Sequence, residues 1–102
     1  MHRAPCFFSA AAEDYLRRLS IYGKPASIKH STISIRHLSR IFGTTDLCEV
    51  HPSVVDEYVV HRRDAGVAAR TINGELIVLR AILNHAVQTD RLPKVRLCRS
   101  KQ

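Results

Sequence analysis

The chain has 102 residues, 45% of them hydrophobic, and a formal net charge of +7. This length suits one small domain with a single core, and the apolar content is that of a globular protein. No apolar run approaches the ~20 residues of a membrane-spanning helix, no secretory signal pattern is present, and three scattered cysteines form no CxxC pair. We therefore expect a cytoplasmic protein without disulfide framework, zinc site or membrane partner.

The positive charge is concentrated near the C-terminus. Residues 91–102 contain five basic and no acidic side chains, whereas residues 1–90 contain 11 basic and 9 acidic ones, a net charge of +2. Such a tail indicates a polyanionic partner, most often a nucleic acid, although a solubilising linker has the same composition. The expected organisation is an N-terminal tail at 1–7, a folded domain at 8–90 and a basic linker at 91–102.

Apolar residues at helical spacing, with few alternating stretches, predict an all-α fold of four helices. The predicted helices lie near residues 8–20, 27–42, 52–65 and 69–89. Ser9 is the expected N-cap of the first helix, and the segment Tyr22-Gly23-Lys24-Pro25 is expected to separate it from the second. Pro52 stands where a proline opens a helix, and Leu47 and Val50 are expected to point inward from the preceding connector.

The segment Arg70–Val87 is the predicted central helix. It is apolar on most of its circumference, which is typical of a helix covered by neighbours on several sides, with Ile77, Val78 and Ile82 widening its apolar surface. Its first turn remains polar or basic, so that end can face a partner. The second helix is expected to bury Ile35, Leu38, Ile41 and Phe42. The predicted core comprises Tyr15, Leu16, Leu38, Phe42, Val55, Tyr58, Ile72, Leu76, Leu79 and Leu83.

Three cations of the second helix, Lys29, Arg36 and Arg40, lie within about 40° of one another when each residue turns the helix by ~100°. Thr32 flanks this stripe. A straight line of cations opposite a core face is suited to tracking DNA phosphates, although an ordinary solvated helix face has the same pattern.

The sequence gives no support for a self-contained enzyme. His37-Leu38-Ser39-Arg40 fits H-x-x-R, but we interpret the match as coincidence, because Leu38 is core-facing and no nucleophile segment follows. Glu57 and His61 stand one turn apart without further ligands, which favours a simple helix contact over a metal site. No glycine-rich phosphate loop is present. We expect no cofactor, no metal and no small-molecule substrate.

The ordered motifs from residue 31 to 87 resemble the core-binding domain of phage integrases and other tyrosine recombinases. The resemblance covers roughly residues 7–92 and lies in the order and spacing of the set rather than in any single motif. Its elements are Phe42-Gly43, Leu47 to Val50, Val55 with Tyr58, Arg63 with Gly66, Thr71-Ile72-Asn73 with Leu76, Leu79 and Arg80, and Asn84 with Ala86. One departure is the pair Ala68-Ala69 before the central helix, where the family often has a Ser or Thr cap.

The resemblance implies a compact four-helix, SAM-like domain that forms one half of a clamp on double-stranded DNA. The catalytic half, with its nucleophilic tyrosine, would be a separate domain beyond the basic linker, so this chain alone is expected to be non-catalytic. Other recombinase protomers on the same DNA are the implied protein partners, and a bacterial or phage-encoded cytoplasmic protein is the implied setting. The DNA contacts carried onto this sequence are Lys29, Thr32, Arg36, Arg40, Arg70, Thr71, Asn73, Lys94 and Arg96.

Two other functions fit the pattern. A small helix-turn-helix transcription regulator would use the turn at Gly66–Ala69, but it needs a shorter, more exposed recognition helix. A helical protein–protein adaptor would show no salt-dependent DNA binding. A palindromic footprint would favour the regulator.

Overall fold

The computed structural model describes residues 7–89, which form four α-helices and no strand. The helices are α1 (Phe8–Tyr22), α2 (Pro25–Phe42), α3 (Pro52–Asp64) and α4 (Ala69–Gln88). A single 3-10 turn at Leu47–Glu49 joins α2 to α3. The predicted all-α four-helix bundle is therefore confirmed, whereas the expected linker at 91–102 and most of the expected N-terminal tail lie outside the described residues.

The boundary between α1 and α2 differs from the sequence prediction. Helix α1 continues to Tyr22, and α2 starts at Pro25, so only Gly23 and Lys24 separate them. A proline at the first helical position loses no hydrogen bond and has its φ angle already set for a helix. Pro25 therefore opens α2, although the sequence prediction had assigned it to the break.

The prediction that Ser9 caps α1 is wrong. Phe7 precedes the helix, Ser9 lies within it, and no side chain caps the start. Instead the backbone N–H groups of Phe8 and Ser9 donate to the carbonyl oxygens of Thr45 and Gly43, at 2.9 and 3.2 Å. The chain after α2 thus satisfies the first turn of α1, a long-range partner that local sequence patterns do not reveal.

Helix α4 lies at the centre, in contact with α1, α2 and α3. Six of the ten predicted core residues are buried, and the other four, Tyr15, Leu16, Val55 and Leu76, are partly buried and pack against the core. Val78 and Ile82 are buried as the wide apolar surface of α4 predicted. The expectation fails at Ile77, which is 68% exposed, and at Ile41, which is 37% exposed.

The connector predictions hold. Leu47 and Val50 are both buried, and Pro52 occupies the first turn of α3. Helix α3 ends at Asp64, and the chain turns at Gly66, whose φ of +87° lies in the left-handed region that glycine adopts without strain. Ala68 precedes α4 and supplies no side-chain cap, as its residue type requires.

No helix between residues 7 and 89 combines the length and the apolar character needed to cross a membrane.

Candidate nucleic-acid interface

The cations of α2 form an exposed stripe opposite the buried face of the helix. Lys29, Arg36 and Arg40 are all exposed, and so is Thr32 beside them. The residues that α2 buries are Ser31, Ser34, Ile35, Leu38 and Phe42. The core side of the helix thus holds the stripe in place, so three positive charges stand in a fixed line along one rigid element.

Helix α4 also presents a polar and basic face. Arg70 and Asn73 are exposed at its start, and the same side continues through Ile77, Arg80 and Asn84, which are likewise exposed. Spacings of three and four residues keep these positions on one side of a helix. The sequence analysis did not include Arg80 among the site residues. The signal that identifies it is its distance of seven residues from Asn73, which brings it to within about 20° of that residue around the helix.

The exposed faces of α2 and α4 are neighbours because the two helices pack closely at one point. A Cβ added at Gly74 of α4 would lie 3.2 Å from Cε1 of His30 on α2. Further along, Ala26 and Ser27 of α2 line the same shallow depression as Ala81 of α4. The two helices therefore run side by side in opposite directions, with His30 and Gly74 at the contact between them.

Exposed acidic side chains are absent from α2 and α4 but occur elsewhere in the described chain. The exposed charged residues of α2 and α4 are Lys29, Arg36, Arg40, Arg70 and Arg80, all of them basic. The single acid on these two helices, Glu75, is buried. The acids after α2 lie instead on the 3-10 turn and α3 or just beside them: Asp46, Glu49, Asp56, Glu57 and Asp64. The small net charge of the folded body thus conceals a strongly basic face.

The uncharged polar residues predicted to contact DNA differ in the hydrogen bonds that their side chains already make. The hydroxyl of Thr32 donates to the carbonyl oxygen of Ile28 at 2.7 Å, so only its lone pairs remain for another partner. Thr71 and Asn73 are exposed in the first turns of α4. Lys94 and Arg96, the two predicted contacts from the basic linker, lie outside the described residues.

A buried polar network joins α4 to α3. The Tyr58 hydroxyl donates to Oε1 of Glu75 at 2.5 Å, and the Arg62 guanidinium donates from Nε to the same oxygen at 3.0 Å and from Nη2 to Oε2 at 2.6 Å. All three side chains are largely buried. The carboxylate is therefore satisfied on both oxygens by groups of a single neighbouring helix.

The network sets the ionisation of its members. Burial alone would raise the pKa of Glu75, but hydrogen bonds from Arg62 and Tyr58 outweigh it and hold that pKa below its ordinary value of 4.5. Burial and the adjacent Glu75 carboxylate raise the pKa of the Tyr58 hydroxyl. Sequence analysis assigned Tyr58 to packing and missed Glu75, whose signal is that helical spacing places this acid among the apolar positions of α4.

The sequence-level candidates for catalysis do not assemble. Leu38 within the H-x-x-R match is fully buried, and Nδ1 of His37 is buried without a hydrogen-bond partner. Glu57 and His61 are exposed on α3. Among residues 7–89, no group of three or more potential ligands is placed to hold a metal ion.

The arrangement can attract anions and form hydrogen bonds, because a rigid basic face lies beside exposed hydrogen-bonding side chains. Comparison with protein-family models, with curated proteins and with solved structures found no match.

Proposed function

We propose that this chain is a double-stranded DNA-binding domain of the core-binding type found in tyrosine recombinases. The observation that carries the proposal is the segregation of exposed charge: two packed helices carry five basic and no acidic exposed side chains between them. An α-helical bundle with a mildly basic total charge does not need such a face for folding. A polyanion with regularly spaced charges is its natural complement.

The charged and the uncharged side chains of α2 and α4 have different roles in binding. Arginine and lysine of α2 and α4 neutralise phosphates and release counterions, which supplies affinity without sequence information. Thr71 and Asn73 stand at the start of α4 among these cations, where they donate hydrogen bonds to phosphates or base edges. The Tyr58–Arg62–Glu75 network keeps this helix start in register with the rest of the bundle, and fixed geometry is what positions a protein on the duplex.

The recombinase setting follows from the resemblance of the ordered motifs. In it, this domain clamps DNA during integration and recombination in the cytoplasm of a bacterium, beside other protomers, while a separate domain carries the chemistry. The environment of Tyr58 supports the assignment of the chemistry to a separate domain. Its hydroxyl is buried and donates to Glu75, so it is not presented to a phosphodiester. The chain by itself then needs no cofactor or metal.

The test is a salt titration of DNA binding with charge-matched variants. Arg36→Ala/Arg70→Ala removes one cation from each helix of the proposed face, and Arg17→Ala/Arg63→Ala removes two exposed cations from α1 and α3. Each lost phosphate contact should reduce the slope of log K against log salt by ~0.9, so the first pair should lose about 1.8. The control pair should leave the slope close to that of the parent.

Binding by the isolated domain should be weak, with a Kd of about 10⁻⁴–10⁻⁶ M, as for non-specific binders. On a recombination site, footprinting should show that Arg36→Ala/Arg70→Ala loses both affinity and positional preference. Truncation after Asp90 should lower affinity and keep the preference, because positioning needs the rigid helices. Equal binding by both variant pairs at every salt concentration would refute the proposed DNA face. A symmetric palindromic footprint would instead favour a transcription regulator.

A further inference from the structure

A depression lies where α1, α2 and α4 meet, and the DNA-binding proposal does not use it. It has a volume of about 370 Å³, within the range of small-ligand pockets. Its apolar side is formed by α1 and α4, and its polar side is formed by the first turns of α2. The lining residues are Tyr15 and Leu19 of α1, Ile77, Val78 and Ala81 of α4, and Ala26, Ser27, His30 and Ser31 of α2.

Ser31, on the polar side of the depression, is a buried residue whose hydroxyl has no partner. It is only 4% exposed, and its hydroxyl makes no hydrogen bond with any residue between 7 and 89. Among these residues, the one fully enclosed side-chain atom without a partner is Nδ1 of His37, so the Ser31 oxygen opens onto the depression that it lines. A hydroxyl withdrawn from bulk water in this way gains from a polar group placed in the depression.

The start of α2 supplies further unused donors beside Ser31. Lys24, at the N-cap position, makes no side-chain hydrogen bond to the first turn, and that turn contains no acidic residue. The backbone N–H groups of Ala26 and Ser27 donate to no backbone carbonyl in the described chain. Free N–H groups and the dipole at a helix start both favour an anion. His30 lines the same side of the depression and can donate from its ring.

The depression continues into a groove between the C-terminal halves of α1 and α4. Tyr15, Leu19 and Ala81 line both concavities, so together they form one elongated trough. The trough follows α4 from Ile77 to Gln88, a length of roughly 16 Å at a rise of ~1.5 Å per residue. Its shape suits an extended hydrocarbon chain rather than a compact ligand.

We infer that this trough binds a medium-chain fatty acid, with the carboxylate at the start of α2 and the hydrocarbon chain between α1 and α4. The Ser31 hydroxyl and the N–H groups of the first turn of α2 donate to the carboxylate. The chain lies against Leu19, Val78 and Ala81 and covers Ile77, which is 68% exposed without it. No acid lines either concavity, so nothing in the lining repels the carboxylate. The site includes none of the proposed DNA contacts and does not depend on DNA binding.

Octanoate is the probe, and two related molecules separate the contribution of its charge from that of its chain. Calorimetric titration of the full chain at a pH of about 7, where a carboxylate is ionised, should show saturable binding of octanoate. Octanol has the chain without the charge, and acetate has the charge without the chain. Each should bind at least about tenfold more weakly than octanoate. In two-dimensional NMR spectra, octanoate should shift the amide signals of Ala26 and Ser27.

Two variants with matched controls test the two sides of the trough. Ser31→Ala should weaken octanoate binding by about tenfold, as expected for the loss of a hydrogen bond to a charged group. Ser34→Ala is its control, because Ser34 is also buried on α2 but does not line the depression. Ala81→Leu fills the trough and should abolish binding, whereas Ala10→Leu, at an exposed position of α1, should not. Circular dichroism should show unchanged helix content in every variant.

Several results would overturn the inference. Absence of saturable octanoate binding by the parent would do so, as would equal affinity for octanol or amide shifts confined to residues away from the start of α2. Unchanged affinity in Ser31→Ala, or an equal loss in Ser34→Ala, would contradict the placement of the carboxylate. Unchanged affinity in Ala81→Leu would contradict the placement of the chain.

Discussion

Replacement of Arg62 by methionine is the most direct test of the buried network that joins α3 to α4. Methionine keeps much of the length and apolar volume of the arginine stem but removes its charge and all of its donors. In the variant, the Glu75 carboxylate keeps the hydrogen bond from Tyr58 and loses both bonds from the guanidinium. A carboxylate whose side chain is only 2% exposed is then left without a compensating charge.

Breaking a buried ion pair by removing one partner costs about 3–5 kcal/mol. The Arg62 side chain is 13% exposed, so water reaches part of the site, and we expect a loss near the lower limit, about 3 kcal/mol at neutral pH. Arg62→Met/Glu75→Gln should lose less than the single variant, because no buried charge remains.

The pH dependence follows from the sign of the pKa shift. In the parent the pKa of Glu75 lies below 4.5, so the stabilisation is present above that pH and is lost as the pH falls through the folded-state value. In Arg62→Met, burial without the guanidinium raises the pKa of Glu75, so the folded variant takes up a proton more readily than the unfolded chain and gains stability on acidification. The difference between parent and variant should therefore narrow from pH 7 toward about pH 4.

Urea unfolding followed by far-UV circular dichroism, repeated across this pH range, measures both effects. A loss below about 1 kcal/mol at neutral pH would show that the network contributes little to stability. A pH-independent difference would show that Glu75 is not the titrating group.

Two further outcomes are expected. Leu79→Ala should lower the free energy of unfolding by about 2–5 kcal/mol. The matched change Ile77→Ala, on the exposed side of the same helix, should lower it by well under about 1 kcal/mol. Equal losses in urea unfolding would contradict the assignment of the buried and exposed faces of α4. The chain should form no covalent adduct with a nicked or intact recombination site on denaturing gels; an adduct that disappears in Tyr58→Phe would overturn the non-catalytic reading.

The periodicity of the sequence was sufficient to determine the four helices and most of their core. Apolar residues of α4 recur at helical spacing over almost its whole length, and a pattern that long leaves little choice of structure. The cation stripe of α2 was also predictable, because Lys29, Arg36 and Arg40 lie on one side of any α-helix formed by this segment. Residues that fall on one helix face by spacing alone need no knowledge of their neighbours.

Tertiary structure decided the features that depend on which helix lies beside which. The start of α1 is satisfied by carbonyls of Gly43 and Thr45, more than 30 residues away, so the prediction of a local Ser9 cap failed. Periodicity also placed Ile77 within a broad apolar surface, but no neighbour covers that side of α4.

The packing of the α2 cations beside those of α4 likewise depends on tertiary structure. Glu75 lies five residues from both Arg70 and Arg80, about 140° around the helix from each, so spacing places it away from them but does not identify the groups that it meets. In the folded chain its carboxylate is buried against Tyr58 and Arg62, and the exposed charged residues of α2 and α4 are all cations. Sequence determines which charged residues each helix carries, whereas the packing of α3 against α4 determines which of them are exposed to solvent. The buried Arg62–Glu75 pair has no net charge, so the unpaired cations around it determine the electrostatic potential at the surface.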